Sequence, residues 1–337
     1  MRYETITIKD IAKALGFSTS TVSRALRGGY EISDETKRIV LEYAEKINYR
    51  PNPIALSLKE RRSYSIGVVV CEIANNFFSQ AINGIESIAY NSGYHVIITQ
   101  SNENYEREVL NVNHLASRSV DGLLISLSSE TSDISYLKSL HDKGLPIVLF
   151  DRVTEEINTH KVTANNFQGS FEATEYLINL GHTKVAHFTS AEHLSITRER
   201  LQGYKAALET HNIPYNESYV KFCNHGGMIQ NEQDNAVKEL LALKDRPQAI
   251  FIAQDKLTTG SLLAFKKLDP KYASEIAISG FTNSNIVDLI SPSIIAVKQP
   301  AFEMGQSATE LLIQLIESKY PVTEFETRML NTQLMLK

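Results

Sequence analysis

The sequence predicts a small all-α head joined to a larger α/β body built from two doubly wound halves. Three observations predict it. Residues 7–50 carry apolar residues at helical spacing, and from Tyr64 onward short apolar runs alternate with helix-like segments. The basic charge is also concentrated at the front of the chain: 12 Lys and Arg against 8 Asp and Glu in residues 1–62, but 22 against 31 in the remainder. A basic head on an acidic body is the asymmetry expected if only the head meets phosphate.

In the head, Ile8, Ile11, Ala12 and Leu15 form the stripe of a first short helix, opened by Thr7 with Asp10 three residues on. Gly16 stops that helix and Phe17 plugs the corner. Ser18 caps a second helix whose Val22, Ala25 and Leu26 face inward, and Gly28-Gly29 ends it. Ser33 caps a third, with Asp34 and Glu35 in the first turn and Ile39, Val40, Tyr43, Ala44 and Ile47 as its buried face. Two short helices on a longer third describe a helix-turn-helix. Any small helical bundle shares that periodicity. What favours DNA is the outer side of the second helix, where Thr19, Ser20, Thr21, Ser23 and Arg24 are short hydroxyls and one fork-shaped cation.

The body reads as strands at Ser65–Cys71, Tyr94–Thr99, Gly122–Ser126 and Ile147–Asp151, separated by helices over 77–92, 104–118 and 132–143. A second series follows, with strands near 184–189, 219–223, 249–253 and 276–280 and helices near 168–180, 197–211, 230–243 and 257–268. Such halves bind ligands beyond the carboxyl ends of their strands. Asp151, Arg200 and Asp255 fall at those ends, and carboxylates with a guanidinium there suit a hydroxyl-rich ligand. Phe77 and Phe78 start the first helix of the body and either stack on a sugar face or seal the core.

Ile8-Lys9-Asp10-Ile11-Ala12, Ser20-Thr21-Val22-Ser23-Arg24 and Asn48-Tyr49-Arg50-Pro51-Asn52 resemble the lactose/galactose repressor family of bacterial regulators. The likeness continues through Asn76-Phe77-Phe78, Val120-Asp121-Gly122, Gly181-His182, Gly203-Tyr204, Asp255, Gly280-Phe281 and Gln299-Pro300. It implies a periplasmic-binding-protein-like effector domain, in which residues 64–162 and 293–321 make one subdomain and 163–292 and 322–337 the other. It implies a hinge helix in 51–63, between the 1–50 head and the 64–337 body. Thr19, Ser20 and Arg24 match base-reading positions, and Ala55 and Leu58 match apolar wedges of the minor groove. The candidate DNA contacts are therefore Thr7, Ser18, Thr19, Ser20, Thr21, Ser23, Arg24, Asn52, Ala55, Leu58 and Lys59. The effector candidates are Phe77, Phe78, Asp151, Arg200 and Asp255. Where the family pattern has Asp after Gly280-Phe281, this chain has Thr282-Asn283.

The resemblance implies a homodimeric regulator, a repressor on a pseudo-palindromic operator, governed by a small effector of carbohydrate type. Control by a protein corepressor and a solute-binding role without DNA stand as alternatives, and inducer and corepressor roles are both open. An enzyme is not expected, since no Gly-x-Ser-x-Gly, Walker loop or His-Glu-x-x-His stretch occurs. No metal or cofactor is expected either, with nine scattered histidines and two distant cysteines, Cys71 and Cys223. The chain has no apolar run of membrane-spanning length and no apolar leader, so a cytoplasmic protein is expected. Its last residues carry no leucine heptad, which predicts no tetramerising coil.

Overall fold

The computed structural model describes residues 6–50, 62–284 and 294–335. The chain divides into two compact units, residues 1–63 and 64–337. The first unit holds α1 (Ile8–Leu15), α2 (Thr19–Ala25) and α3 (Asp34–Lys46). The Asp10 carboxylate accepts the Thr7 backbone N–H at 2.8 Å and its hydroxyl at 2.7 Å, which closes the first turn of α1. Gly16 ends α1 in the left-handed conformation (φ 70), where a side chain would be strained. Ile11, Val22, Ala25 and Val40 are sealed from solvent at the centre of the three helices. Ile39, expected on the buried face of α3, lies outside instead: Val40, Ala44 and the half-buried Tyr43 and Ile47 already complete that face.

The second unit has two six-stranded sheets. The first runs β11-β5-β4-β3-β1-β2, from β1 (Ser65–Val70), β2 (His95–Gln100), β3 (Gly122–Ile125), β4 (Ile147–Phe150), β5 (Lys161–Ala164) and β11 (Thr327–Leu330). The second runs β12-β10-β9-β8-β6-β7, from β6 (Val185–Thr189), β7 (Val220–Phe222), β8 (Ala249–Ile252), β9 (Ala277–Phe281), β10 (Ile294–Lys298) and β12 (Gln333–Met335). All pairings are parallel except β10 with β12. Central strands such as Gly122–Ile125 and Ile147–Phe150 are buried along their whole length, as parallel strands covered on both faces require.

Helices α4 (Asn76–Asn91), α5 (Tyr105–Ser117), α6 (Ser135–Asp142) and α12 (Ala301–Glu317) belong to the first lobe. Helices α7 (Asn166–Asn179), α8 (Ser195–Thr210), α9 (Gln230–Leu241), α10 (Asp255–Leu268) and α11 (Pro270–Glu275) belong to the second. An Asn repeatedly marks the junction of strand and helix. Asn75, Asn104 and Asn165 each accept a backbone N–H of the first helical turn, at 2.9, 2.9 and 3.1 Å. In each lobe one pair of helices packs backbone to backbone. A β-carbon on Gly84 of α4 would lie 2.0 Å from the Phe302 carbonyl oxygen, and one on Gly305 of α12 2.1 Å from that of Ala81. Gly203 of α8 meets the Phe167 carbonyl of α7 in the same way, at 2.3 Å. Only glycine permits these approaches.

The lobe boundaries differ from the expectation of subdomains changing at 162, 292 and 321. The segment 293–321 divides: β10 pairs with β9 in the second sheet, with Ile294 opposite Ile278, and only α12 returns to the first lobe. The tail divides too, since β11 joins β5 in the first sheet before β12 joins β10 in the second. The chain thus crosses between lobes around Asn165, around Gln299-Pro300 and around Asn331-Thr332. The first and last crossings are tied together, the Asn165 N–H donating to the Leu330 carbonyl at 2.8 Å. These pairings come from long-range hydrogen bonding, which local apolar patterning does not encode.

In the second sheet His187 is completely buried, its ring stacked between Tyr204 (centroids 5.0 Å apart) and Phe251 (4.9 Å). Nδ1–H donates to the Phe251 carbonyl at 3.2 Å, while Nε2 has no partner among the described residues. Burial therefore lowers its pKa from the ordinary 6.5 to about 3. A lowered folded-state pKa means that the unfolded chain binds the proton first, so stability is complete above about pH 6.5 and falls as the solution is acidified towards pH 3. This one group is expected to remove about 2 kcal/mol between pH 7 and pH 5. In urea melts at those two pH values, His187→Phe should lose about 2 kcal/mol less than the parent chain. Equal losses would show that another group sets the acid sensitivity.

Candidate functional sites

In the head, capping sorts the hydroxyls into two groups. Ser18 is spent on structure: its Oγ accepts the Thr21 N–H at 3.1 Å and lies 2.8 Å from both the Ser20 and the Thr21 hydroxyls. Thr7 is engaged with Asp10 in the same sense. Ser23 is half-buried and bonded through its hydroxyl and carbonyl to the Arg27 guanidinium. Thr19, Ser20 and Arg24 stay exposed on α2. Arg24 Nη1 reaches Glu31 at 2.7 Å, in a pair about half open to water. Arg27, also exposed, is a second cation of this face that the sequence reading did not single out. Asn52, Ala55, Leu58 and Lys59 lie outside the described residues.

In the body, Phe77, Phe78, Asp151, Arg200 and Asp255 all line one cavity between the two lobes. Topology explains why. Phe77 and Phe78 follow β1, Asp151 follows β4, Arg200 lies in the helix after β6, and Asp255 opens the helix after β8. Every one is at or beyond the carboxyl end of a parallel strand. Asp151 has φ 60, a left-handed conformation unusual for a residue with a side chain and often found where function fixes the backbone.

Arg200 is 2 % exposed. Its Nε donates to Asn166 Oδ1 at 2.9 Å, its Nη1 donates to the Ala253 carbonyl, and its guanidinium lies 3.8 Å above the Phe281 ring. Burial pulls its pKa down to about 10, against the opposing pull of Asp151 and Glu199, so it stays charged at neutral pH. Burial pushes the Asp151 carboxyl up, offset in part by Arg152 and Arg200. Asp255 is pushed up by burial as well, while bonds from Thr282 and Asn76 work the other way. Thr282 and Asn283, the two departures from the family pattern, thus have work to do. Thr282 donates to Asp255, and Asn283 spans the lobes, giving Nδ2 to Gln80 Oε1 at 2.7 Å and to the Gln299 carbonyl at 2.8 Å.

The cavity also contains Glu72, Glu103, Arg152, Lys256 and Gln299; none is among the effector candidates from sequence, although Gln299 belongs to the matching Gln299-Pro300 stretch. Arg152 follows Asp151 directly, and Glu103 lies just past β2, so scanning every strand's carboxyl end for charge finds both. Arg152 and Glu103 form a buried two-pronged ion pair at 2.6 and 2.8 Å. Burial opposes the Glu103 carboxylate, but Arg152 and the Ser129 N–H at 2.7 Å outweigh it and hold its pKa below the usual range. Lys256 of α10 pairs with Glu72 of the first lobe. Arg152 Nε is buried with no hydrogen-bond partner among the described residues. The cavity is open to solvent on one side and takes its lining from both lobes.

Among the described residues no group of His, Cys, Asp and Glu is arranged to hold a metal ion, and no helix is long and apolar enough to cross a membrane. Residues 63–335 match the family of periplasmic binding proteins and the sugar binding domain of the LacI family. Residues 7–52 match the bacterial regulatory proteins of the lacI family. The chain is 31 % identical over 313 residues to the HTH-type transcriptional repressor PurR of Vibrio vulnificus (strain CMCP6), covering 93 % of this chain and 92 % of that protein. It is 31 % identical over 336 residues to the ribose operon repressor of Haemophilus influenzae, covering 98 % and 97 %. Its fold is similar to that of the lac repressor dimer bound to operator and the anti-inducer ONPF, with a TM-score of 0.79 at 22 % identity over 99 % of this chain and 98 % of that one. The chain belongs to the LacI family of bacterial regulatory proteins, non-enzymatic transcriptional regulators that join a DNA-binding helix-turn-helix to a periplasmic-binding-protein-like effector domain.

Proposed function

We propose that this chain is a cytoplasmic, homodimeric repressor whose hold on a pseudo-palindromic operator is set by a neutral, hydroxyl-rich effector of the sugar class. The observation that carries the effector reading is the convergence of Asp151, Arg200, Asp255, Phe77 and Phe78 on one cavity at the carboxyl ends of both sheets. Carboxylates accept from hydroxyls, the guanidinium donates to ring or hydroxyl oxygens, and aromatic rings pack on the apolar face of a sugar. Repression is supported by the two relatives, which are both named as repressors.

Dimerisation is supported by apolar surface that the monomer leaves uncovered. Ile97 and Ile98 stand exposed on β2, an edge strand, and Leu110 of the neighbouring α5 is more than half exposed. An exposed apolar edge strand invites a partner. Two heads then read two half-sites, with Thr19, Ser20 and Arg24 at base edges and Ala55 and Leu58 as wedges in the minor groove. Asn52 and Lys59 would contact phosphates beside those wedges, and Thr7, Ser18, Thr21 and Ser23 would contact phosphates around the recognition helix. Because operator and effector act on one equilibrium, each changes the affinity of the other by the same factor.

The head is tested by gel shift on an operator selected from a randomised duplex. Arg24→Ala should weaken specific binding by about 10- to 100-fold. Glu31→Gln releases Arg24 from its exposed pair and should tighten binding by no more than about fivefold, with the gain vanishing at high salt. Unchanged affinity for Arg24→Ala ends the assignment of α2 as the reading helix. For the body, Arg200→Ala should abolish the change in operator affinity that a sugar produces in the parent protein. An intact response removes Arg200 from the effector site, and a parent that responds to no sugar removes the sugar class.

A further inference from the structure

The cavity between the lobes is lined by four carboxylates, Glu72, Glu103, Asp151 and Asp255, and three cations, Arg152, Arg200 and Lys256. How they are connected constrains a ligand more than their number does. Arg152 gives both terminal nitrogens to Glu103 at 2.6 and 2.8 Å, with a further bond to the Leu127 carbonyl at 3.3 Å. Lys256 is held across the cavity by Glu72 and lies 3.1 Å from the Met228 sulfur. Arg200 is occupied by Asn166 and the Ala253 carbonyl, and the charges of Asp151 and Glu199 act on it. Two of the three lining cations, Arg152 and Lys256, are thus each committed to a carboxylate, whereas Arg200 has neutral hydrogen-bond partners and feels Asp151 and Glu199 only through their charge.

Glu103 is costly for the fold to keep. It sits at φ 60 directly after Asn102 at φ 53, two consecutive left-handed residues with side chains, and it is only 7 % exposed. A buried ion pair of this kind adds little net stability, because desolvation consumes most of the attraction. What the pair does accomplish is to cancel the Arg152 charge while leaving Arg152 Nε without a partner among the described residues.

We propose that Glu72 and Glu103 are charge-selecting residues, which occupy Lys256 and Arg152 so that the site accepts a free sugar and rejects its phosphorylated form. This rests on the sugar reading given above. A phosphate brings close to two negative charges at neutral pH. To be paired by Arg152 or Lys256 it must displace Glu103, which then keeps only the Ser129 N–H, or the half-buried Glu72, in a site that already holds Asp151 and Asp255. Neutral hydroxyls need no such exchange. They donate to Asp151 and Asp255 and accept from Arg152 Nε, which the ion pair with Glu103 leaves available.

The test is isothermal titration calorimetry of the full-length protein with two matched pairs, D-ribose with D-ribose 5-phosphate and D-glucose with D-glucose 6-phosphate. The parent should bind the free member of at least one pair, and its phosphorylated partner at least about 100-fold more weakly. Glu72→Gln and Glu103→Gln should each narrow that ratio by about tenfold or more, as a freed cation becomes available to phosphate. Thermal melts establish that each variant is folded, and the half-buried Glu72 decides alone if Glu103→Gln is not. A phosphorylated sugar that binds the parent as tightly as the free one overturns the proposal. So does a variant that weakens both members equally and leaves the ratio unchanged, with the sugar reading intact. If the parent binds no member of either pair, the sugar reading fails and charge selection fails with it.

Discussion

A parallel sheet directs every strand's carboxyl end to the same edge, and in this protein two such sheets bring those edges to one seam. Loops there have no ladder partners to satisfy them, so they collect polar and charged side chains. Once the two lobes approach, these side chains are buried together. Arg200, Arg152, Glu103 and Asp151 are all less than a tenth exposed. A buried charge without a partner is prohibitive, so each of these groups had to find a counterpart or a carbonyl. The wiring of the cavity is that requirement met, residue by residue.

Parts of this were open to sequence reading because they depend on local chemistry. Central strands such as Ser65–Val70 are continuous apolar runs, and the helices between them have their own period and Asn caps. Asp151, Arg200 and Asp255 could be found because a strand end is a local feature with a known functional bias. The structure brings all three to one cavity. β5 was missed because Lys161-Val162-Thr163-Ala164 is half polar, although all four residues are buried. Its burial comes from neighbours on both sides, β4 and β11, and nothing within the segment signals it.

The partition of the body between lobes was illegible for a related reason. β10 and β11 are separated by 28 residues (299–326) and belong to different sheets, and only hydrogen-bond partners distant in sequence decide which. Glu103 and Lys256 read as ordinary surface charges until the fold sets each one opposite its counterion. In the head, Ile39 shows the converse error. Helical period placed it inside, but a 13-residue helix packed on two short ones has only a narrow buried stripe, which Val40 and Ala44 fill.

Closure of the cavity bears on how a ligand could act at a distance. The lining comes from both lobes, so any change in their separation changes the site. The contacts opposing that motion cross the seam: Glu72 with Lys256, Gln80 with Asn283, and His225 with Glu130 at 3.9 Å. All are polar and partly wet, so each contributes little on its own. A seam held by several weak polar contacts can open at modest cost and close again around new hydroxyl partners. A ligand shifts such an equilibrium only by its difference in affinity for the two arrangements, and about 5.5 kcal/mol suffices to reverse a population from 1:99 to 99:1. A few well-placed hydrogen bonds to buried carboxylates reach that size, since those to charged groups are worth about 1.5–3 kcal/mol each. The buried charges that line the site are therefore the same groups from which a switch of sufficient amplitude can be made.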